Sequence, residues 1–141
     1  MLTIISYIKK FGYTGEIVHL PLAFSKGYNM DSVIEHIRGC NPEVIGIGLN
    51  WLHFSEGALE TARKLHSVFP KKIIVIGGQH ATLFAKDIVL ACPYITGVTV
   101  GESEITYLRL LNAVNNGERI KGNVYRKESW QIFWRDIERR R

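Results

Sequence analysis

The run Ile73-Ile-Val-Ile-Gly-Gly-Gln-His-Ala-Thr82 constrains this chain more than any other segment. Its β-favouring apolar residues leave no polar face to turn to water. A strand built from them must be covered on both sides, as the inner strands of a parallel sheet are. The glycine pair that follows lets main chain come close to a neighbour at the strand's carboxyl end, because neither residue carries a Cβ. In open α/β sheets ligands sit at that edge. The segment points at once to a layered fold and to a place on it.

The rest of the chain supplies the layers. Leu2 to Phe11 has Ile4, Ile5, Ile8 and Phe11 on one helical face, with Gly12 as its stop. Glu16–Leu20 reads as a short strand and Pro21–Met30 as a loop. A helix follows from the N-cap Asp31 to about Arg38, before Gly39. Glu43–Leu49 is the next strand, with Gly46 and Gly48 marking a close backbone approach. The loop Asn50–Phe54 leads to Ser55, a candidate N-cap. Ala58, Leu59, Ala62, Leu65 and Phe69 then recur at helical spacing until Pro70. Lys72–Ile76 is a strand, Thr82–Ala91 a helix and Gly97–Val100 a strand. A helix opens at Gly101-Glu-Ser-Glu104 and runs to about Asn115, with Ile105, Leu108, Leu111 and Ala113 on its core face. Strict alternation of helix and strand predicts an α/β fold with a parallel sheet. Near the end, Asn123–Arg126 reads as a strand. The alternation Trp130, Ile132, Trp134 reads as its hairpin partner, although Trp130, Phe133, Trp134 and Ile137 also share a helical face. These features divide the chain into an α/β unit over residues 1–126 and a terminal strand or helix with a basic tail over 127–141.

A fold of this class usually opens with a strand, whereas this chain opens with a helix. In the flavodoxin-like order 2-1-3-4-5 the first strand lies inside the sheet. A sheet without it is expected either to draw Glu16–Leu20 over to pair with Glu43–Leu49 or to take a strand from a second copy of the chain.

Composition narrows the function classes. The chain has 141 residues and a net charge of +5, enough for one domain with a sizeable core. The basic excess gathers at Arg135, Arg139, Arg140 and Arg141, with Asp136 and Glu138 among them, and reads as a solvated end. No basic stripe interleaved with aromatics crosses the body, so nucleic acid is not an expected partner. No apolar stretch is long enough to span a bilayer and no secretory signal opens the chain, so a cytoplasmic protein with no membrane partner is expected. Cys40 and Cys92 belong to no Cys-x-x-Cys pair, which argues against a zinc site, a redox dithiol or an iron–sulfur cluster in this chain. Neither a G-x-G-x-x-G nor a Walker sequence is present, so nicotinamide and nucleoside triphosphate binding are unsupported.

Five passages together resemble a known family: Tyr7-Ile-Lys-Lys-Phe-Gly-Tyr13, Val44-Ile-Gly-Ile47, Gly77-Gly-Gln-His-Ala-Thr82, Gly101-Glu-Ser-Glu104 and Gly122-Asn-Val-Tyr-Arg126. Over residues 2–126 the chain is similar to the amino-terminal cobalamin-binding domain of cobalamin-dependent radical SAM proteins. These include methyltransferases and the anaerobic magnesium-protoporphyrin IX monomethyl ester cyclases. The resemblance implies a Rossmann-like doubly wound sheet, here lacking its first strand, with cobalamin across the carboxyl ends of the strands. It places Gly48, Leu49, Asn50, Trp51, Gly77, Gly78, Gln79, His80, Gly101 and Glu102 around that cofactor. It implies a radical SAM catalytic domain as partner, and an iron–sulfur cluster and S-adenosylmethionine only in that domain, since the cysteine triad is absent here. The Asp-x-His-x-x-Gly motif that supplies cobalt's lower ligand in the methionine synthase type is absent too, and Gly48 stands where many relatives carry a serine.

Other readings of the same residues stand beside this one. His80 either donates to a ligand or orients the helix after it. His53, in the loop after the second strand, lacks a carboxylate to orient it as a cobalt ligand. His19, His36 and His66 have no supporting context. Glu102 and Glu104 form either an acid–base pair or a first turn that complements the helix dipole. Trp51 either stacks on a flat ligand or covers the core. No catalytic residue and no metal ligand is assigned. The expected function is a cobalamin-binding module that is not catalytic alone. The alternative is a cofactor-free interaction or dimerisation module using the exposed sheet edge, and a small stand-alone enzyme using His80 and Glu102 is a third possibility.

Overall fold

The computed structural model describes residues 2–51, 53, 55–118 and 132–134. Its elements are α1 (Leu2–Lys9), α2 (Leu20–Ser25), α3 (Met30–Cys40), β1 (Val44–Gly48), α4 (Ser55–Val68), β2 (Ile73–Gly77), α5 (Gln79–Leu83), α6 (Ala85–Ala91), β3 (Gly97–Thr99), α7 (Glu104–Asn115) and β4 (Ile132–Trp134). The strands form one sheet in the order β1-β2-β3-β4. β1 and β2 run parallel with Val44 opposite Ile73 and Gly48 opposite Gly77, and β2 and β3 run parallel with Val75 opposite Gly97. β4 joins the far side of β3 antiparallel, with Val98 opposite Phe133.

β2 is covered on both faces, as its apolar run requires. Ile74 and Ile76 face a core with Ile34 of α3, Ala62 and Leu65 of α4, Ala81 of α5 and Ile88 of α6. Ile73 and Val75 face the other way, against Leu110 and Val114 of α7. α1 packs on α7, and Tyr13 donates a 2.6 Å hydrogen bond to Asn112 Oδ1. This is the doubly wound arrangement of a Rossmann or flavodoxin-like fold.

Several sequence expectations shift. Glu16–Leu20 is not a strand, so it does not complete the sheet beside β1. His19 instead caps α2, its Nδ1 accepting from Leu22 N–H at 3.2 Å, and Pro21 sits in the first turn, where its fixed φ suits a helix. The stretch Pro21–Met30 read as loop therefore contains a helix. Asn29 rather than Asp31 caps α3, accepting from Ser32 N–H at 2.9 Å. That helix passes Gly39 and ends at Cys40, because Asn41 takes the left-handed conformation (φ 47°). The helix expected over Thr82–Ala91 starts earlier and is two short helices, interrupted at Phe84.

The buried face of α7 is Thr106, Leu110 and Val114, whereas Ile105 is exposed. A hydrophobic pattern does not mark this stripe because Thr106 is polar, yet it is 3 % exposed. β4 is a strand, as the Trp-Ile-Trp alternation suggests. Residues 123–126, its expected hairpin partner, lie outside the described residues.

Candidate functional site at the carboxyl ends of the strands

β1 and β2 end side by side at Gly48 and Gly77, and β3 ends beside them at Thr99. Past β1 the chain folds over the end of β2. Leu49 N–H donates to the Gly77 carbonyl at 2.7 Å, and the Leu49 carbonyl accepts from Ala81 N–H at 3.2 Å. The Leu49 side chain is core, 1 % exposed, so only its main chain belongs to the edge. Asn50 Oδ1 accepts from Gln79 N–H at 3.4 Å.

The glycine pair has a reason inside the protein. Gly78 adopts φ +119°, and a Cβ there would lie 2.5 Å from Asn50 Oδ1 and 2.7 Å from the Leu49 carbonyl oxygen. A Cβ on Gly77 would meet Thr99 Oγ1. The close approach that the glycines allow is thus first of all between neighbouring strand ends. Gly46 has the same logic within β1, on the sheet face that α7 covers, where the Tyr107 hydroxyl occupies the place of a Cβ.

Two side chains that sequence reasoning gave no role brace these loops. Thr82 Oγ1 donates to the Gly78 carbonyl at 2.9 Å and accepts from Gly101 N–H at 3.0 Å. Ser103 Oγ lies 3.0 Å from Thr99 Oγ1 and 3.3 Å from the Gly101 carbonyl oxygen. Thr82 and Ser103 both fall inside the quoted motifs. Their signal was the presence of hydroxyls at fixed places beside glycines, a pattern that fits loop-bracing as well as ligand contact.

The expected site residues fall into three groups. Gly48, Asn50, Trp51, Gln79, Gly101 and Glu102 are exposed along the edge, Trp51 at 65 %. Gly77, Gly78 and His80 are half-buried. Leu49 is buried. The His80 ring lies tilted on Phe84, centroids 4.7 Å apart, which supports the helix-orienting reading of that residue. Glu104 opens α7 and complements its dipole. His53 is away from the glycine edge, lining an open depression of about 570 Å³ with Glu56, Glu60 and Tyr94. Burial, and then the neighbouring Cys92, push the Tyr94 phenol up to about 12, and burial pushes that of Tyr107 up as well. Neither phenol belongs to the strand-end loops.

Of the ten expected site residues, only His80 and Glu102 are ionisable. The edge is therefore rich in main-chain and amide groups and poor in acid–base chemistry, which suits holding a ligand. Its outer members add apolar surface: Leu83 and Phe84 are 74 % and 45 % exposed.

A doubly wound sheet with a braced, glycine-floored edge of this kind defines a ligand-holding α/β domain. Residues 2–111 match the B12 binding domain family, and the chain belongs to it. It is 26 % identical to the cytidylyl-2-hydroxyethylphosphonate methyltransferase of Streptomyces wedmorensis over 94 % of this chain and 26 % of that protein. It is 27 % identical to the anaerobic magnesium-protoporphyrin IX monomethyl ester cyclase of Rubrivivax gelatinosus over 79 % of this chain and 20 % of the relative. An uncharacterised methyltransferase of Pyrococcus horikoshii is 28 % identical over 61 % of the chain and 18 % of its own length. The chain thus spans about a quarter or less of the length of these relatives. Among the described residues no helix is long and apolar enough to cross a membrane.

Proposed function

We propose that this chain is the cobalamin-holding module of a methyltransferase or of a magnesium-protoporphyrin monomethyl ester cyclase-like enzyme of the radical SAM class. The binding unit is residues 1–126, to whose sheet Ile132–Trp134 add β4. The observation that carries the reading is the strand-end platform: Gly48, Gly77, Gly78 and Gly101 without side chains, braced by Asn50, Thr82 and Ser103. A corrin is broad and flat, edged with amides. It needs a floor without projecting side chains and a few donors and acceptors at the rim. The glycine floor, the exposed amides of Asn50 and Gln79 and the exposed indole of Trp51 meet that need.

In this reading Gly77, Gly78 and Gly101 lie under the ligand, Asn50, Gln79, His80 and Glu102 meet its polar rim, and Trp51 covers an apolar part. Cobalamin, when bound, supplies cobalt-centred methyl-transfer or radical chemistry. This chain's residues bind and orient it and shield it from water. The iron–sulfur cluster and S-adenosylmethionine belong to a separate catalytic domain, and the assembly works in the cytoplasm. Titrating the chain with hydroxocobalamin tests the reading. The corrin bands are expected to shift and saturate at one corrinoid per chain. An unchanged spectrum with folded protein in excess would refute it.

A second reading rests on β1. Among the described residues nothing pairs with its outer edge, where Gly46 and Gly48 are exposed. An open row of backbone donors and acceptors is a template for another strand, and a second copy of the chain could supply it. Light scattering after size exclusion distinguishes the two cases: a dimer supports self-pairing, and a monomer at all concentrations rejects it.

A further inference from the structure

The opposite end of the sheet carries a cluster that the cofactor reading does not use. α3 ends at Cys40, shortly before β1 opens at Val44, so the end of this helix lies by the amino-terminal end of β1, away from Gly48 and Gly77. His36 and Cys40 are four residues apart on α3, on one face of the helix. Glu16 reaches them from the irregular segment before α2. Glu16 Oε2 lies 2.8 Å from His36 Nε2. Cys40 Sγ lies 3.6 Å from Glu16 Oε2 and 3.6 Å from His36 Nε2. All three side chains are exposed.

The triangle does not have the form of a catalytic relay. A Cys-His-carboxylate relay uses the two ring nitrogens of histidine for two different partners. Here the one atom Nε2 faces both the carboxylate and the thiol. Desolvation by its neighbours and then the Glu16 carboxylate also hold the exposed Cys40 thiol above its ordinary value, the reverse of an activated nucleophile. Three lone-pair donors instead converge on one point. Bonds of about 2.0–2.3 Å at tetrahedral angles place ligand atoms about 3.3–3.7 Å apart. The two sulfur edges of the triangle already match, and the His–Glu edge needs to open by about half an ångström once a cation replaces the shared proton.

We propose that Glu16, His36 and Cys40 form a divalent-metal site for Zn²⁺, with water in the fourth position. One sulfur, one imidazole nitrogen and one carboxylate oxygen form a borderline-soft set suited to Zn²⁺ rather than to Mg²⁺ or Ca²⁺. Binding exchanges the thiol proton for the metal: a Zn–S bond forms, the S–H bond breaks and that proton leaves to solvent, while the His36 ring carries its own proton on Nδ1 so that the Nε2 lone pair faces the metal. The ion ties the segment before α2 to the end of α3. Sequence reasoning passed over the site because the His-x-x-x-Cys pair sits alone on a helix and its third ligand is 20 residues earlier.

The test uses Co²⁺ as a spectroscopic stand-in, with corrinoid-free, reduced protein under anaerobic conditions. Tetrahedral d–d bands and a thiolate-to-cobalt charge-transfer band are expected to saturate at one ion per chain and to be displaced by Zn²⁺. Cys92 is buried, so the charge-transfer band reports Cys40. Cys40→Ser should abolish that band. His36→Gln and Glu16→Gln should each weaken Zn²⁺ binding at least about tenfold, the lower bound for disturbing even a ligand's supporting partner. Circular dichroism checks that these surface variants remain folded. Absence of the cobalt bands, their survival in Cys40→Ser, or unchanged affinity in His36→Gln or Glu16→Gln would each overturn the proposal.

Discussion

Replacing Gly78 by alanine should damage this protein more than its small size suggests. The residue holds φ +119° and ψ 175°, a region open essentially to glycine alone, and forcing a side chain into it costs about 1–3 kcal/mol. The new Cβ would also lie 2.7 Å from the Leu49 carbonyl oxygen and 2.9 Å from its carbonyl carbon. These are main-chain atoms held by hydrogen bonds to Ala81 and Gly77. Displacing them weakens bonds worth about 1 kcal/mol each. The narrower unfolded ensemble of alanine returns about 0.4–1 kcal/mol. The net loss is roughly 2–4 kcal/mol, a large part of the ~5–15 kcal/mol typical of a domain. Urea unfolding followed by circular dichroism reads it directly. With a slope of about 2 kcal/mol per molar, the midpoint should fall by about 1–2 M. Gly57→Ala is the control: nothing lies within 4 Å of its Cβ, it sits inside α4, and it should stabilise by up to about 1 kcal/mol. A Gly78→Ala loss below about 1 kcal/mol would refute the claim that this glycine is fixed by the packing of one strand end on the next.

Other outcomes follow from the same geometry. Thr82→Val keeps the shape but leaves Gly101 N–H without its 3.0 Å acceptor, and should cost about 1–2 kcal/mol in urea unfolding while raising hydrogen exchange at Gly101. Ile74→Ala, at a position 0 % exposed between α-helices and sheet, should cost about 2–5 kcal/mol by the same assay. Tyr94 gives a pH test. Its phenol is raised from 10.0 to about 12, so the neutral form is favoured in the folded state. That stabilising contribution is complete below pH 10.0 and is lost as pH climbs towards about 12. Urea midpoints of the wild type and of Tyr94→Phe should therefore converge or cross over this range, and an unchanged gap would reject the assignment.

Much of the fold could be read from sequence because its strongest signals are simple. The apolar run at Ile73 demanded cover on both faces, and helices alternating with strands left little but a doubly wound sheet. What failed was local. Leu20 to Ser25 lacks a polar–apolar period, and its helix depends on His19 and Pro21 acting together as a start signal. On α7, Thr106 and Tyr107 turn inward because β-sheet and glycine make room for them, which no periodicity of hydrophobicity shows. At the site, glycines were legible as a place of close approach, but not what approaches. Gly77 meets Thr99 and Gly78 meets Leu49 and Asn50, contacts set by strand register across the sheet. The bracing role of Thr82 stayed hidden for the same reason, since Gly101 is 19 residues away and adjacent only after folding, whereas Ser103 bonds within its own turn, to Thr99 and Gly101.

The central claim is that the glycine-floored strand ends hold cobalamin. Hydrogen exchange of the chain with and without hydroxocobalamin tests it most directly. The account predicts one bound corrinoid and new protection confined to residues 48–51, 77–82 and 101–104, with both weakened in Gly78→Ala and unaltered in His36→Gln. A folded chain that binds no corrinoid, or whose protection appears elsewhere, would contradict it.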